Sequence, residues 1–285
     1  MSNLTELIRL EKLEENLFRG VSKDIGSASV FGGQVLAQAL SAAAQTMDDP
    51  DRLPHSLHGY FILPGDMRIP IIYQVQRTRD GGSFSTRRVT AIQHGKAIFH
   101  LAASFQKEEE GHDHQNTMPD VPLPHELDDV YTKYKSFFEK LPSGWREVFL
   151  NERPIDFRPV ELIDPINPEK HPPLRNVWIR ATEALPKEAL MHRCVLAYAS
   201  DFNLLTTAML PHALSFVQKD LQLASLDHAM WFHRPFRADE WLLYHVDSPS
   251  ASASRGFCRG SLFTTDGTLV ASVAQEGLMR IRNRR

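Results

Sequence analysis

Two long parts of this chain match one another at a nearly constant spacing. A shift of 171 residues lays Tyr60 on Trp231, Pro64 on Pro235, Tyr73 on Tyr244 and Val75 on Val246; a shift of 172 lays Arg87 on Arg259, Gly95 on Gly267 and Ala102 on Ala274. Matches in a common order at one offset imply two copies of a single supersecondary unit. Any fold for the 285 residues must therefore pair two like-built halves.

The first half shows what the unit is. Gly32 to Gln45 has a helical pattern in which Gln34, Gln38, Ser41 and Gln45 share one narrow arc and every other position is small or apolar. Strand-like segments follow at His58 to Leu63, Ile71 to Arg77, Ser83 to Ile92 and Ala97 to Gln106, punctuated by Pro64-Gly65-Asp66, Asp80-Gly81-Gly82 and His94-Gly95. A nearly all-apolar helix ahead of antiparallel strands has to be covered by their sheet. The segment from Lys107 to about Pro124 is charged and then proline-rich, which predicts a linker and units spanning 1–118 and 119–285. In the second, an acidic and aromatic helix near Glu126 to Lys140 precedes strands at Ile155 to Glu161 and Asn176 to Thr182. A helix from about Lys187 to Leu210 and three more strands complete it. At the N-terminus, Leu4, Leu7, Leu10 and Leu13 form a short helical pattern.

Charge and cysteine usage narrow the function classes. With 32 basic against 35 acidic residues there is no overall field to attract nucleic acid or an anionic membrane. Cys194 and Cys258 lie in apolar runs, which fits a reducing compartment rather than a disulfide framework. No apolar run is long enough to insert in a membrane, and the acidic N-terminus lacks the layout of a signal peptide. A cytoplasmic location is expected.

Asp201 is the most informative single residue, a carboxylate in the otherwise apolar helical run Leu196-Ala197-Tyr198-Ala199-Ser200-Asp201-Phe202. Such a group must find partners or shift its pKa upward; it is either a structural acceptor or an active-site acid. Its natural companions are Ser225, which opens the dense stretch from Ser225 to Trp241, and Gln275, which interrupts the last strand. An amide both donates to and accepts from a water, which a carboxylate alone does not. Ser225, Asp227 and His228 are too close along one strand to form a triad, and no Gly-x-Ser-x-Gly elbow occurs. His112-Asp113-His114 has no distant partners at ligand spacing, so neither a metal nor another cofactor is expected.

Several runs, Cys194-Val195-Leu196-Ala197-Tyr198-Ala199-Ser200-Asp201, Ser225-Leu226-Asp227-His228-Ala229-Met230-Trp231-Phe232-His233-Arg234-Pro235, and Ser250 to Gly256 with Gln275-Glu276-Gly277, resemble the acyl-CoA thioesterase II family. Phe31-Gly32-Gly33-Gln34 and His58-Gly59-Tyr60-Phe61 carry the resemblance into the first half. It implies an α+β double hot-dog fold, each half a helix wrapped by an antiparallel sheet, and hydrolysis of fatty acyl-CoA to free acid and CoA. The family's catalytic acid, hydroxyl and amide fall on Asp201, Ser225 and Gln275, with serine here at a position that is threonine in some members. His58 matches a family histidine.

Chemically, a thioester carbonyl is open to direct attack by a water that a carboxylate, a hydroxyl and an amide hold in line. Gly32 and Gly33 are candidate amide donors in their own half. Gly33, His58 and Arg255 are the candidate substrate contacts, and Arg234, Arg237, Arg255 and Arg259 either meet CoA phosphates or form the wet face of a sheet. The expected partner is the acyl-CoA substrate. The resemblance, with the edges of a hot-dog sheet, suggests a homo-oligomer, dimer or tetramer. Two other readings stay open: an acyl-thioester hydratase or dehydratase, and a non-catalytic acyl-CoA sensor.

Overall fold

The computed structural model describes residues 4–25, 29–139, 154–164 and 167–282. The chain opens with helix α1 (Leu4–Ile8), strands β1 (Glu11–Glu14) and β2 (Leu17–Gly20), helix α2 (Gly32–Ala44) and strands β3 (Leu53–Phe61), β4 (Ile71–Asp80), β5 (Phe84–Gln93) and β6 (Lys96–Gln106). After an extended connection that holds one short 3-10 turn (Pro124–Glu126) come helix α3 (Val130–Phe138), strands β7 (Ile155–Pro159) and β8 (Leu174–Ala181), and helices α4 (Ala189–Ser200) and α5 (Leu204–Met209). Strands β9 (Leu221–Ser225), β10 (Asp227–Phe232), β11 (Leu242–Ser252), β12 (Arg255–Thr264) and β13 (Leu269–Ile281) finish it. The last residue of the expected third helix, Lys140, lies outside the described residues.

Among the described residues, one antiparallel sheet of 13 strands runs through both halves in the order β1-β2-β4-β5-β6-β3-β10-β13-β12-β11-β8-β7, with β9 also on β13. The halves join at β3 and β10, where His58 pairs with Ala229, its own counterpart at a shift of 171. Tyr60 pairs with Asp227 and Ser56 with Trp231, so the ladder maps onto itself when the halves are exchanged. A local two-fold axis therefore passes through the His58–Ala229 pair.

The ladders also correct the alignment of the repeats. Gln76 pairs with Arg88 as Asp247 pairs with Arg259, so Arg88, not Arg87, is the counterpart of Arg259. The offset grows to 172 only beyond the following hairpin, where His58–Ala102 corresponds to Ala229–Ala274. The second half has one more residue in that turn, and the sparse identities blurred where it enters.

Helices α2 and α4 pack against each other under the sheet, and one buried cluster draws on both, including Leu36, Leu40, Val195 and Leu196. Truncating any of these leucines to alanine costs about 2–5 kcal/mol. The polar arc of α2 is covered too from Gln34 to Ser41, leaving only Gln45 exposed, because Gln34 and Gln38 serve the chain that crosses them. Gln38 donates to the carbonyls of Leu7 (2.7 Å) and Val21 (3.0 Å) and accepts from the Tyr73 hydroxyl (2.7 Å), while Gln34 accepts from Lys23 N (3.0 Å).

Two helices differ from expectation. The N-terminal helical pattern ends at Ile8; the segment carrying Leu13 turns through Asn16, whose φ of 60° is left-handed, into the β1–β2 hairpin. The long helix expected from Lys187 to Leu210 is two helices, broken where Asp201 caps α4 and Asn203 takes a φ of 69°. This break puts Asp201 at a helix end instead of on a helix face.

Candidate active site

Three elements converge on Asp201. It ends α4, the N-terminus of α2 approaches from the other half, and β13 brings Gln275 from the sheet. Gln275 Nε2 donates to Asp201 Oδ1 at 2.8 Å, and the backbone N–H of Gly33 donates to the same carboxylate. Gly32 comes so close that a Cβ there would stand 2.7 Å from Asp201 Oδ2. The carboxylate thus lies at the end of α4 but faces the positive end of α2, an arrangement favourable to negative charge. The expectation that Gly32 and Gly33 serve only their own half is corrected by this contact: packing of α2 on α4 carries them across.

The surroundings are apolar. Phe31, just ahead of α2, packs its ring on Tyr198 and Phe202, with centroids 5.1 and 4.5 Å apart. Only 6% of the Asp201 side chain is exposed. Burial raises its pKa, with the hydrogen bonds from Gln275 and Gly33 opposing that rise. A carboxylate so tuned is a better base at neutral pH than an exposed one.

His228 completes the cluster. It is wholly buried, with Nδ1 3.3 Å from Gln275 Nε2 and 3.9 Å from Asp201 Oδ1, and Nε2 3.0 Å from Ser200 Oγ. Burial pushes its pKa down to about 3, so the ring is neutral. Although it belongs to the polar start of the stretch from Ser225 to Trp241, this histidine is core. Strand parity hid it. Between the pairs Ser225–Gly277 and Ala229–Ala274 the strand β9–β10 gains one residue over β13, a bulge at Leu226 and Asp227. The bulge is stabilised by Asp227 Oδ1, which accepts from Glu276 N at 2.6 Å. It turns Ser225 and His228, three residues apart, to the same inner face.

Ser225 sits opposite Gly277, two residues along β13 from Gln275 and on the Gln275 side of the sheet. Among the described residues no hydrogen bond ties its hydroxyl to Asp201 or Gln275. The remaining sequence candidates stand elsewhere. His58 is exposed on the outer face, its ring edge-on to Trp231 at 5.2 Å. Arg255 pairs with Glu276 at 2.8 Å on that face. Arg234 is held by Asp113 of the linker, Arg237 by Asp239 and Arg259 by Asp247, so these guanidiniums are already matched to carboxylates. Gly33 is at the site, but its N–H is committed to Asp201.

The two halves are not equivalent here. Where the second has His228 and Gln275 across from one another, the first has the buried pair Leu57 and Ala103. Pro54 stands at the counterpart of Ser225, at a shift of 171.

Comparison with known proteins bears on what this site does. The acyl-CoA thioesterase family profile matches residues 145–278, and the profile of the acyl-CoA thioesterase N-terminal domain matches residues 21–106. The chain is 44% identical to acyl-CoA thioesterase 2 of Haemophilus influenzae over 98% of both proteins. Among solved structures, an acyl-CoA thioesterase II of Mycobacterium marinum is 43% identical, with a TM-score of 0.79 over 97% of this chain and 98% of that one. A protein of Alicyclobacillus acidocaldarius described as having a hot-dog fold, 18% identical, superimposes with a TM-score of 0.77 over 99% of this chain and 100% of its own. The architecture is a double hot-dog of the α+β class.

Proposed function

The chain belongs to the acyl-CoA thioesterase family, an enzyme of the thioester hydrolase class, and we propose that it hydrolyses fatty acyl-CoA by direct attack of a water held by Asp201, Ser225 and Gln275. The observation that carries the reading is the hydrogen bond of Gln275 to Asp201 in an almost closed apolar site at the N-terminus of α2. Asp201 takes a proton from the water as its oxygen bonds to the thioester carbonyl carbon. The tetrahedral adduct then expels CoA thiolate, which takes up a proton, leaving a free carboxylic acid. A thiolate is a good leaving group, so no strong general acid is needed. Gly33 contributes through Asp201, since its N–H is already engaged there. The Ser225 hydroxyl reaches in from the strand beside Gln275 to hold the water from a second side.

A sensor would gain nothing from a desolvated carboxylate, because burying that charge costs stability and adds no affinity for an uncharged acyl chain. Release of free thiol from a chain-length series of saturated acyl-CoAs, followed with a thiol reagent, tests the reading. Turnover with at least one chain length is expected; no release at any length overturns it.

A homo-oligomer is part of the same proposal, though not through the sheet edges. Strand β1 has only four residues, all exposed, including Glu11, Lys12 and Glu14, and such short charged edges resist pairing. The outward sheet face, with Tyr60 63% exposed beside His58 and Trp231, is the better surface for a second copy. Light scattering after size exclusion distinguishes a monomer from a dimer or tetramer.

A further inference from the structure

We propose that His228 is a positioning residue that fixes which way round the Gln275 amide lies, and thereby keeps Asp201 as the hydrogen-bond acceptor at the reaction centre. The inference rests on the thioesterase reading and adds a residue to it.

The orientation follows from counting protons. Ser200 Oγ lies 2.9 Å from the carbonyl oxygen of Ala197 and 3.0 Å from His228 Nε2. A carbonyl only accepts, so the single hydroxyl proton of Ser200 goes to Ala197, the back-bond usual for serine in a helix. Its oxygen is then left to accept from His228, which puts the imidazole proton on Nε2 and leaves Nδ1 bare. Among the described residues, the only group beside Nδ1 that donates is the NH2 end of Gln275, at 3.3 Å. The second hydrogen of that NH2 reaches Asp201 Oδ1 at 2.8 Å.

The series is directional. Were the Ser200 proton to turn toward His228, each bond would reverse and Gln275 would present its carbonyl to Asp201, which only a protonated carboxyl tolerates. Held by the Ala197 carbonyl, the series favours the ionised acid that attack by water requires. It also fixes the other end of the amide. Gln275 Oε1 is buried with no hydrogen-bond partner among the described residues, and in this reading it accepts a hydrogen of the attacking water. The first half has Leu57 and Ala103 at the corresponding places, where no such series is possible.

The test uses two isosteres in the full-length chain. The carbonyl oxygen of asparagine falls where Nδ1 of histidine lies, and the terminal group of glutamine falls where Nε2 lies. His228→Asn keeps an acceptor for Gln275, whereas His228→Gln keeps only the contact with Ser200. Thiol release should show kcat of His228→Asn within about tenfold of wild type. His228→Gln should fall by about 100-fold, as expected for a misplaced water, with KM little changed in either. Equal losses in the two variants, or a more active glutamine variant, overturn the proposal. Nitrogen-15 NMR of the wild-type histidines gives an independent answer should either variant fail to fold. A bare Nδ1 on His228 supports the assignment, and a protonated Nδ1 overturns it. If the wild type releases no thiol from any acyl-CoA, the thioesterase reading fails, while the tautomer still decides how Gln275 is oriented.

Discussion

Gly32 and Asp201, 169 residues apart in sequence and in different halves of the repeat, are in contact: a methyl group on Gly32 would stand 2.7 Å from the carboxylate. The absence of a side chain at Gly32 is therefore what allows the end of α2 to lie against the acid. Gly32→Ala should lower kcat by about 100-fold by pushing the carboxylate off line, with only a small loss of stability. Gly33→Ala should behave differently, because its Cβ would lie 2.3 Å from the backbone carbonyl oxygen of Tyr198. Overpacking against backbone costs about 1–3 kcal/mol, so this variant should lose Tm as well as activity. Thermal unfolding and thiol release on the two alanine variants separate the cases.

Removing the acid should cost activity and relieve the fold. Asp201→Asn should reduce kcat by at least about 100-fold, the usual worth of a positioned base. Its effect on stability has the opposite sign. The folded pKa of Asp201 is raised by burial, so its protonated form contributes stability that is complete below the unfolded pKa and lost as pH rises through the folded one. Asparagine cannot ionise, so the variant should match or exceed the wild type in Tm at neutral pH, with the gap closing in acid. For the same reason the acid limb of kcat/KM in the wild type should fall at a pH above the ordinary aspartate value. A Tm for Asp201→Asn well below wild type at pH 8 would contradict this account.

His228 should dominate a different pH window. Its pKa is about 3 when folded and the ordinary value is 6.5; a base depressed in this way contributes stability that is present above 6.5 and lost as pH falls toward 3. One proton is worth about 1.4 kcal/mol per pH unit across that interval. The difference in urea stability between wild type and His228→Asn should narrow by roughly this slope between pH 6 and pH 4. A difference independent of pH would show that the ring is not held neutral.

Ser225 offers a test of the bulge at Leu226 and Asp227. Because the Ser225 side chain is on the Gln275 side of the sheet, Ser225→Ala should lower kcat by about ten- to 100-fold, the range for one lost contact to a positioned water. Ser225→Thr, which retains the hydroxyl, should stay near wild type. Asp227→Ala, which removes the acceptor for Glu276 N, should release the bulge and depress activity without touching the carboxylate. Steady-state kinetics on the three variants check it.

Much of the fold was legible because apolar periodicity reports burial directly. The arc of Gln34, Gln38, Ser41 and Gln45 marked α2 as enclosed, and Gln34 and Gln38 turned out to bind the crossing chain. Four strands of the first half fell within a few residues of expectation, and Asp201 and Gln275 were recognisable as polar groups in apolar runs. What stayed hidden depended on local backbone geometry. Nothing in the periodicity of α4 and α5 signals a left-handed Asn203, so the break between them read as continuous helix. The bulge at Leu226 and Asp227 shifts side-chain parity by one, which regular alternation does not record, so the place of His228 beside Gln275 stayed hidden. The donation from Gly33 to Asp201 depends on how two helices from separate copies meet, which no single stretch records.

The two-fold relation through His58 and Ala229 carries a lesson about the ancestry of this molecule. A pair of identical subunits must keep every feature twice, whereas joined copies are free to diverge. Here one copy has alanine and leucine where its sister has the amide and imidazole, and it supplies the helix end that the sister's carboxylate leans on. In the proposed site the acid of one copy rests on the helix end of the other, so a chain severed in its linker should regain activity only when both fragments are restored to the same vessel, and intact chains should titrate with one inhibitor molecule apiece.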